Sequence, residues 1–426
     1  MTLRTPRWLL AATVAVALAG YLALAGAAGG ADPKPPDLDA RAWALVDADD
    51  GELLADHASA RSVAIASATK LMTAYVALEE LKPEQRIRAP GYQGAPAEVV
   101  LGLSAGEKIA VGDLLYAMLL PSANDAAVTI AEGVSGSTSA FVKEMNRAAR
   151  KLGLDDTRFA NPIGLDAPGN RSSARDLVAL TLELRKEPRF RKIVDTPEAT
   201  LETGAEPRTV TTRNALLRTV PWIDGVKTGH TTEAGYVLVA SGTRKDVTLV
   251  SVVLGAASES ARDAETLKLL DYGFSLYSAS MPVPKGRELA DPEVRYGDEP
   301  LPLVAKRPIE VSARDGQRVE TLVDAPGEVE GPISDGERLG RVAVTVDGES
   351  SGATPLVATR SVAAPSTIDK LGSFLPLPMI ALGAIVIVIG VAGARWRTAS
   401  QRSRDRSAEE RRRHHEERIR RRERER

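Results

Sequence analysis

Ser67 and Lys70 are the first residues whose types and spacing could support chemistry. Helix-forming residues 71–80 follow, so the sequence predicts that Ser67 lies in the first turn of a helix. Residues at i and i+3 are neighbours on a helix face, which brings the Lys70 amine within reach of the Ser67 hydroxyl. A lysine whose pKa is lowered by burial or a nearby cation can activate a serine nucleophile. The same spacing also fits an ordinary helix start with a serine cap.

A second polar pair, Ser122 and Asn124, follows an apolar run of helical character at residues 114–120. Serine and asparagine on a short connection can pass on a proton and hydrogen-bond a substrate amide. Both residue types are also favoured as helix caps. By itself this pair does not decide between a catalytic and a structural role.

A third motif, Lys227-Thr228-Gly229, comes just before residues 231–240, which we interpret as an apolar strand. An exposed strand beside a nucleophile can align an extended peptide by main-chain pairing. Lys227 would supply positive charge, Thr228 a hydroxyl, and Gly229 room for a ligand to approach the backbone. An ordinary strand edge protected by a lysine is the structural alternative.

In the order S-x-x-K, S-x-N and K-T-G, the three motifs resemble those of penicillin-binding proteins and class A β-lactamases. The chain most resembles the low-molecular-mass DD-carboxypeptidases of serine peptidase family S11, over residues 40–274. The segment 227–235 is similar to the family's extended K-T-G-x-T-x-x-A-G motif. Further similar segments are residues 155–166, 172–176 and 213–217.

This resemblance implies an α/β (α+β) penicillin-binding/β-lactamase-like transpeptidase domain with a helical subdomain, and a residue-by-residue mechanism. Ser67 would attack the D-Ala–D-Ala carbonyl of a peptidoglycan stem peptide, with Lys70 as the general base. Ser122 would pass the proton to the leaving D-Ala amine. A β-lactam would acylate Ser67 in the same way. The substrate-binding residues would be Asn124, Arg213, Lys227, Thr228, Gly229 and His230.

The resemblance also divides these binding roles. Asn124 would hold Lys70 and the substrate amide, and Lys227 would polarise the site and help to keep Lys70 neutral. Thr228 and Arg213 would contact the terminal carboxylate. The oxyanion hole would be formed by the backbone N–H groups of Ser67 and His230.

One position departs from some relatives, which carry a carboxylate-binding arginine shortly after the strand that follows K-T-G. Here that place falls within residues 255–259, and the nearest later arginine is Arg262. Carboxylate binding is therefore expected to depend more on Arg213 and Thr228.

Composition excludes several other classes of function. The absence of cysteine excludes disulfides and thiolate metal sites. The four histidines lack H-E-x-x-H spacing, which argues against a zinc hydrolase. No metal and no cofactor is predicted. The formal net charge is −2, yet arginine is concentrated after residue 395, which leaves the rest acidic. That distribution argues against an exported nucleic-acid-binding domain.

Two apolar stretches predict the topology. Arg4 and Arg7 precede the uncharged residues 8–30, which indicates a signal peptide or N-terminal anchor at residues 1–30. Residues 371–394 are long enough to cross a bilayer. Arginines follow at once, so the basic tail, residues 395–426, is predicted to be cytoplasmic and the catalytic part extracytoplasmic. We interpret the tail as a solvated charge run, although lipid or RNA binding is the alternative.

The chain between the two stretches changes character near residue 280. Helical spacing before it includes Leu71, Tyr75 and Leu78. After it, Val342, Val344 and similar alternations predict strands that end at turn residues. The predicted organisation is a linker at residues 31–39, a catalytic domain at 40–278, an all-β domain at 281–359, a linker at 360–370 and a transmembrane helix at 371–394.

Four alternatives to a membrane-held DD-carboxypeptidase remain at this point. A DD-endopeptidase acting on crosslinks is chemically close. A class A β-lactamase would carry a glutamate-positioned water, but residues 161–165 lack an E-x-x-L-N pattern. A non-catalytic wall-binding protein would not need intact motifs. A membrane anchor whose tail recruits cytoplasmic partners leaves the motifs unexplained.

Overall fold

The computed structural model describes residues 33–367, 370 and 377–424. The predicted signal peptide or anchor, residues 1–30, lies outside the described residues. So do residues 371–376, the start of the predicted transmembrane segment.

Nine helices and eighteen strands are formed by the described residues. The helices are α1 Lys70–Glu80, α2 Val111–Leu119, α3 Asn124–Ser135, α4 Thr138–Lys151, α5 Ala174–Arg185, α6 Pro188–Val194, α7 Ala215–Thr219, α8 Glu259–Ser275 and α9 Leu377–Arg424. The strands are β1 Ala42–Asp47, β2 Leu53–His57, β3 Arg86–Arg88, β4 Lys108–Ala110, β5 Glu198–Leu201, β6 Arg208–Thr211, β7 Ile223–Thr231, β8 Gly235–Arg244, β9 Val247–Ala256, β10 Tyr277–Val283, β11 Glu288–Ala290, β12 Glu293–Val294, β13 Leu303–Ala305, β14 Ile309–Arg314, β15 Val319–Asp324, β16 Glu328–Val329, β17 Arg338–Val346 and β18 Glu349–Ala358.

A five-stranded antiparallel sheet in the order β2-β1-β9-β8-β7 organises the first part of the chain. Side chains alternate between the two faces of a strand. Along β1, Ala44 and Val46 therefore join the core on one face, where α1 to α6 pack, while Trp43 and Leu45 join a second core that includes residues of α8. Strand β7 is left at the edge of the sheet, facing the helical side that carries the site.

The predicted helical spacing is confirmed in α1 and α2, where Leu71 is buried in the first core and Tyr75 and Leu78 pack against it partly buried. Ser67 itself lies one turn earlier than predicted. It belongs to a short 3-10 turn, Ala66–Thr69, and Lys70 is the first residue of α1. Ala66 has a φ of 48°, a left-handed value that redirects the chain just before the nucleophile candidate.

The predicted strand at residues 231–240 is confirmed from residue 235 onwards, as the first part of β8, but its predicted start is wrong. Lys227-Thr228-Gly229 lies inside β7, which ends at Thr231, and residues 232–234 form the turn into β8. The Thr231 hydroxyl accepts a hydrogen bond from the Ala234 N–H at 3.1 Å, and Gly235 adopts a φ of 68°. The hydrogen bond closes a turn where hydropathy alone indicated a continuous strand. The K-T-G motif therefore belongs to β7, which is the edge strand of the sheet.

The second part of the chain forms its own core around a sheet ordered β11-β13-β18-β17-β15. The predicted strand at Val342 and Val344 is confirmed, and both side chains are fully buried. The predicted turn is also confirmed, since Asp347 and Gly348 have φ values of 51° and 86°. Such paired positive values characterise tight hairpin turns.

One arginine links this β region to the catalytic sheet. Arg314 on β14 forms ion pairs with Asp50 at 2.5 Å and Glu52 at 2.9 Å, both between β1 and β2. Its guanidinium also lies over the ring of Tyr277, whose hydroxyl donates to Asp47 at 2.5 Å. The two parts are therefore joined by a polar contact in which a buried arginine pairs with partly exposed carboxylates.

Helix α9 runs for 48 residues. It contains one stretch, Leu382–His415, that passes a length-and-hydropathy test for a membrane span, and its apolar window has no buried share. Large apolar side chains such as Ile387 and Val388 are about two-thirds exposed at 68% and 66%.

Candidate active site

Lys70 is the central residue of the site. Its side chain is fully buried, and its Nζ atom lies 3.1 Å from Ser67 Oγ. The same nitrogen lies 2.6 Å from Asn124 Oδ1 and 2.6 Å from the carbonyl oxygen of Ile163. The i, i+3 spacing and the start of α3 together bring these groups to one point.

Burial has a direct electrostatic consequence at Lys70. Desolvation disfavours the ammonium form and lowers the pKa of Lys70 from 10.5 to about 7, although the negative charge of Glu98 acts in the opposite direction. An amine with a pKa near neutrality has the right strength to accept and return a proton at physiological pH.

Ser122 occupies a strained backbone position just before α3. Its φ is 73°, a left-handed value that is uncommon for serine. Its side chain is buried, and its Oγ atom has no hydrogen-bond partner within residues 33–367. Strained backbone and an unsatisfied buried hydroxyl tend to occur together at functional sites. Asn124, two residues on, begins α3.

The loop before α5 packs directly behind the nucleophile turn. Ile163 offers its carbonyl oxygen to Lys70, and Gly164 adopts a φ of 90°. A Cβ atom on Gly164 would lie only 2.0 Å from the carbonyl oxygen of Ala66. Asn161 stabilises the loop by accepting the Gly164 N–H at 2.6 Å.

The K-T-G motif reaches the nucleophile from β7. A Cβ atom on Gly229 would lie 3.0 Å from the backbone nitrogen of Ser67, so the strand and the turn are in close contact. Lys227 is buried and donates to the carbonyl oxygen of Thr228 at 2.8 Å. Burial first, and then the charges of Lys70, Arg213 and Arg262, hold the pKa of Lys227 well below its usual range.

The other predicted binding residues lie on or near β7. Thr228 is buried on the strand, whereas the exposed His230 stacks its ring on Tyr236 with centroids 4.1 Å apart. Arg213 donates its backbone N–H to Leu120. Its exposed side chain has no ion pair in the part of the chain that the structure describes.

Arg262 is committed to its own helix. Its side chain is 3% exposed on α8 and pairs with Asp263 at 2.7 Å and with Glu259 at 3.2 Å. Two carboxylates thus already surround the guanidinium, whereas Arg213 has no ion pair among the described residues.

Sequence reasoning missed two partners of the site. Glu98 accepts a hydrogen bond from Asn124 Nδ2 at 2.7 Å, and the carbonyl group of Ile163 contacts Lys70. No motif singles out Glu98 in the sequence. A backbone carbonyl carries no side-chain signal, although the segment containing Ile163 was among those that resembled the family.

Two comparisons with known proteins decide the family. The profile described as D-alanyl-D-alanine carboxypeptidase, peptidase S11, matches residues 30–258. The chain belongs to this family. It is a serine-type D-alanyl-D-alanine carboxypeptidase of the penicillin-binding class, as the motifs predicted. A second profile, the C-terminal domain of penicillin-binding protein 5, matches residues 277–364.

Named relatives share most of the carboxypeptidase's length. The chain is 32% identical over 330 residues to the D-alanyl-D-alanine carboxypeptidase DacF of Bacillus subtilis, covering 75% of this chain and 85% of DacF. It is 30% identical over 366 residues to DacA of Escherichia coli, covering 81% and 89%. Penicillin-binding protein 5 of Haemophilus influenzae superposes with a TM-score of 0.56 at 29% identity, over 78% of this chain and 99% of that structure.

Proposed function

We propose that this carboxypeptidase removes the terminal D-alanine of peptidoglycan stem peptides through an acyl-enzyme on Ser67. The observation that carries the proposal is the set of contacts around Lys70 Nζ. A neutral amine has two hydrogens and one lone pair. Because the 2.6 Å contacts to Asn124 and Ile163 take both hydrogens, the lone pair is directed at the Ser67 hydroxyl.

In this mechanism Lys70 removes the Ser67 proton as the hydroxyl attacks the penultimate D-alanine carbonyl. The N–H groups of Ser67 and His230 stabilise the oxyanion. Ser122 carries a proton to the nitrogen of the departing D-alanine, a role for which its buried hydroxyl, unpartnered within the described part of the chain, is suited. A water molecule then hydrolyses the ester, releasing the shortened peptide and Ser67.

Substrate binding is assigned to the edge strand and the cations beside it. Main-chain pairing with β7 would align the extended peptide. Arg213 and Thr228 would bind the terminal carboxylate, because Arg213 lacks an ion pair among the described residues while Arg262 is already paired. Lys227 would add positive potential, and Asn124 would contact the substrate amide.

Labelled penicillin tests the nucleophile. We expect a covalent adduct on Ser67 that peptide mapping locates, and no adduct in a folded Ser67→Ala variant. An adduct that persists in Ser67→Ala would exclude Ser67 as the nucleophile. Slow loss of the adduct is expected, whereas rapid penicillin turnover would favour a β-lactamase.

Substrate choice between peptide ends and crosslinks requires a separate assay. We expect release of free D-alanine from a pentapeptide to be faster than cleavage of a crosslinked dimer. Faster cleavage of the dimer would assign the protein as a DD-endopeptidase. Both assays use the same acyl-enzyme, so Ser67→Ala is the common negative control.

We also propose that the C-terminal helix holds the enzyme in the membrane, with the catalytic part extracytoplasmic and the arginine-rich tail cytoplasmic. The exposed apolar window in Leu382–His415 and the arginines after it support this orientation. Protease added outside intact cells should remove the catalytic part and spare the tail. Digestion of the tail would reverse the orientation.

A further inference from the structure

Residues 98–103 are attached tightly to the start of α3. The Asn124 N–H donates to the carbonyl of Val99 at 2.7 Å. The next residue, Asp125, is 2% exposed, and its carboxylate accepts the N–H groups of Leu101, Gly102 and Leu103 at 2.8 to 3.0 Å. Four hydrogen bonds therefore hold the backbone that carries Glu98 in register with Asn124.

The Glu98 carboxylate is held in one orientation by its own partners. Its Oε1 atom accepts the Ala95 N–H at 2.9 Å. Its Oε2 atom accepts from the Tyr92 hydroxyl at 2.5 Å and from Asn124 Nδ2 at 2.7 Å. Burial and the bond to Glu98 raise the pKa of Tyr92, so the phenol stays protonated and keeps donating.

The bond between Glu98 and Asn124 determines which end of the asparagine amide faces the base. A side-chain amide has a donating NH2 end and an accepting oxygen end. A carboxylate only accepts, so the NH2 group must point towards Glu98 and the oxygen towards Lys70. A flipped amide would place oxygen against carboxylate and NH2 against the amine.

We propose that Glu98 is a positioning residue of the carboxypeptidase, which acts through Asn124 to orient the Lys70 amine at Ser67 and places a negative charge one side chain away from that amine. The chain of contacts runs from Tyr92 through Glu98 and Asn124 to Lys70. Glu98 does not itself touch the reacting atoms. Its charge opposes the effect of burial on the pKa of Lys70.

Two substitutions at Glu98 separate orientation from charge. Glu98→Gln keeps one oxygen that accepts the Asn124 NH2 group but loses the charge and the acceptor for the exposed Ala95 N–H, whereas Glu98→Ala loses every one of these. Glu84→Gln makes the same chemical change at an exposed glutamate and serves as the matched control. The measurement is the second-order rate of acylation by a fluorescent penicillin across pH, on the full-length protein.

We expect Glu98→Gln to move the acid limb of the acylation profile to lower pH by about half a unit. Its plateau rate should stay within about threefold of the unsubstituted protein, because the amide remains oriented. Glu98→Ala should lower the plateau about tenfold or more, as expected for a misaligned catalytic group. Glu84→Gln should change neither quantity.

The proposal would be overturned by an unshifted acid limb in Glu98→Gln, and equally by an unchanged plateau in Glu98→Ala. Should Glu98→Ala fail to fold, the pH profile of Glu98→Gln still decides. This inference rests on the proposed role of Lys70 as base, which Lys70→Ala tests separately. If Lys70→Ala were acylated at the wild-type rate, the role of Lys70 as base would be rejected. If Lys70→Ala were inactive and the acid limb of Glu98→Gln were unshifted, only the role of Glu98 would be rejected.

Discussion

Gly164 lies so close to Ala66 that a Cβ atom on the glycine would be 2.0 Å from the Ala66 carbonyl oxygen. Gly164 also has a φ of 90°, where other residues are strained. The loop that supplies a carbonyl to Lys70 is thereby packed against the turn that presents Ser67. The base and the nucleophile are positioned by the same backbone contact.

Gly164→Ala is therefore expected to damage both stability and acylation. Overpacking and left-handed strain together should cost about 3 kcal/mol of the free energy of unfolding. Gly153→Ala is the control, because Gly153 has a φ of 69° and open space around its Cβ position. It should lose about 1 kcal/mol, with normal acylation. Denaturant unfolding and penicillin-acylation rates measure the two effects, and equal losses in both variants would contradict the packing argument.

The pH dependence of acylation should follow Lys70. Its pKa is lowered to about 7, so the amine is neutral above that pH and protonated below it. Only the neutral form accepts the Ser67 proton, so the acylation rate should fall about tenfold per pH unit below the pKa. Stopped-flow measurement of the acylation rate from about pH 5 to about pH 9 covers both sides of this pKa. A rate independent of pH across neutrality would contradict the assignment of Lys70 as base.

Arg213→Ala should weaken binding of the peptide substrate. Loss of a charge-assisted hydrogen bond to the terminal carboxylate should raise KM about tenfold or more, with a smaller effect on kcat. Arg218→Ala is the matched control, since Arg218 is also exposed and lies five residues along the chain. Steady-state release of D-alanine gives both constants. An unchanged KM in Arg213→Ala would assign carboxylate binding elsewhere.

Arg314→Ala should loosen the contact between the catalytic sheet and the β region. The Arg314 side chain is 9% exposed, and its removal leaves Asp50 and Glu52 without their partner. We expect a loss of about 1 to 3 kcal/mol, because a buried arginine side chain is removed together with its pairs to two partly exposed carboxylates. Calorimetry should show a lower melting temperature. Arg318→Ala, which removes an exposed pair with Glu320, should change stability by less than about 1 kcal/mol.

Much of the chemistry was predictable from linear patterns. Ser67 and Lys70 are three residues apart, so one turn of helix determines their proximity. Lys227-Thr228-Gly229 adds a third short motif, and the order of the three motifs along the chain indicated the family. The strand at Val342 was predictable because alternation of apolar and polar residues is a local property.

Local patterns failed where distant segments set the backbone or the environment. The turn after β7 is closed by the Thr231 side chain, which hydropathy does not record. The protonation state of the Lys70 amine depends on its burial by segments far along the chain, and its orientation depends on the carbonyl of Ile163. Glu98 has no motif, because its role comes from a contact with Asn124 across 26 residues of chain.

The amino-acid sequence by itself determined which reactive groups this carboxypeptidase carries and their order along the chain. The tertiary structure alone decided which partners surround the amine of Lys70, and hence its pKa near neutrality. The physical reason is that desolvation and hydrogen bonding depend on the three-dimensional surroundings of a group. Residues distant in sequence, Glu98 and Ile163 among them, supply those surroundings.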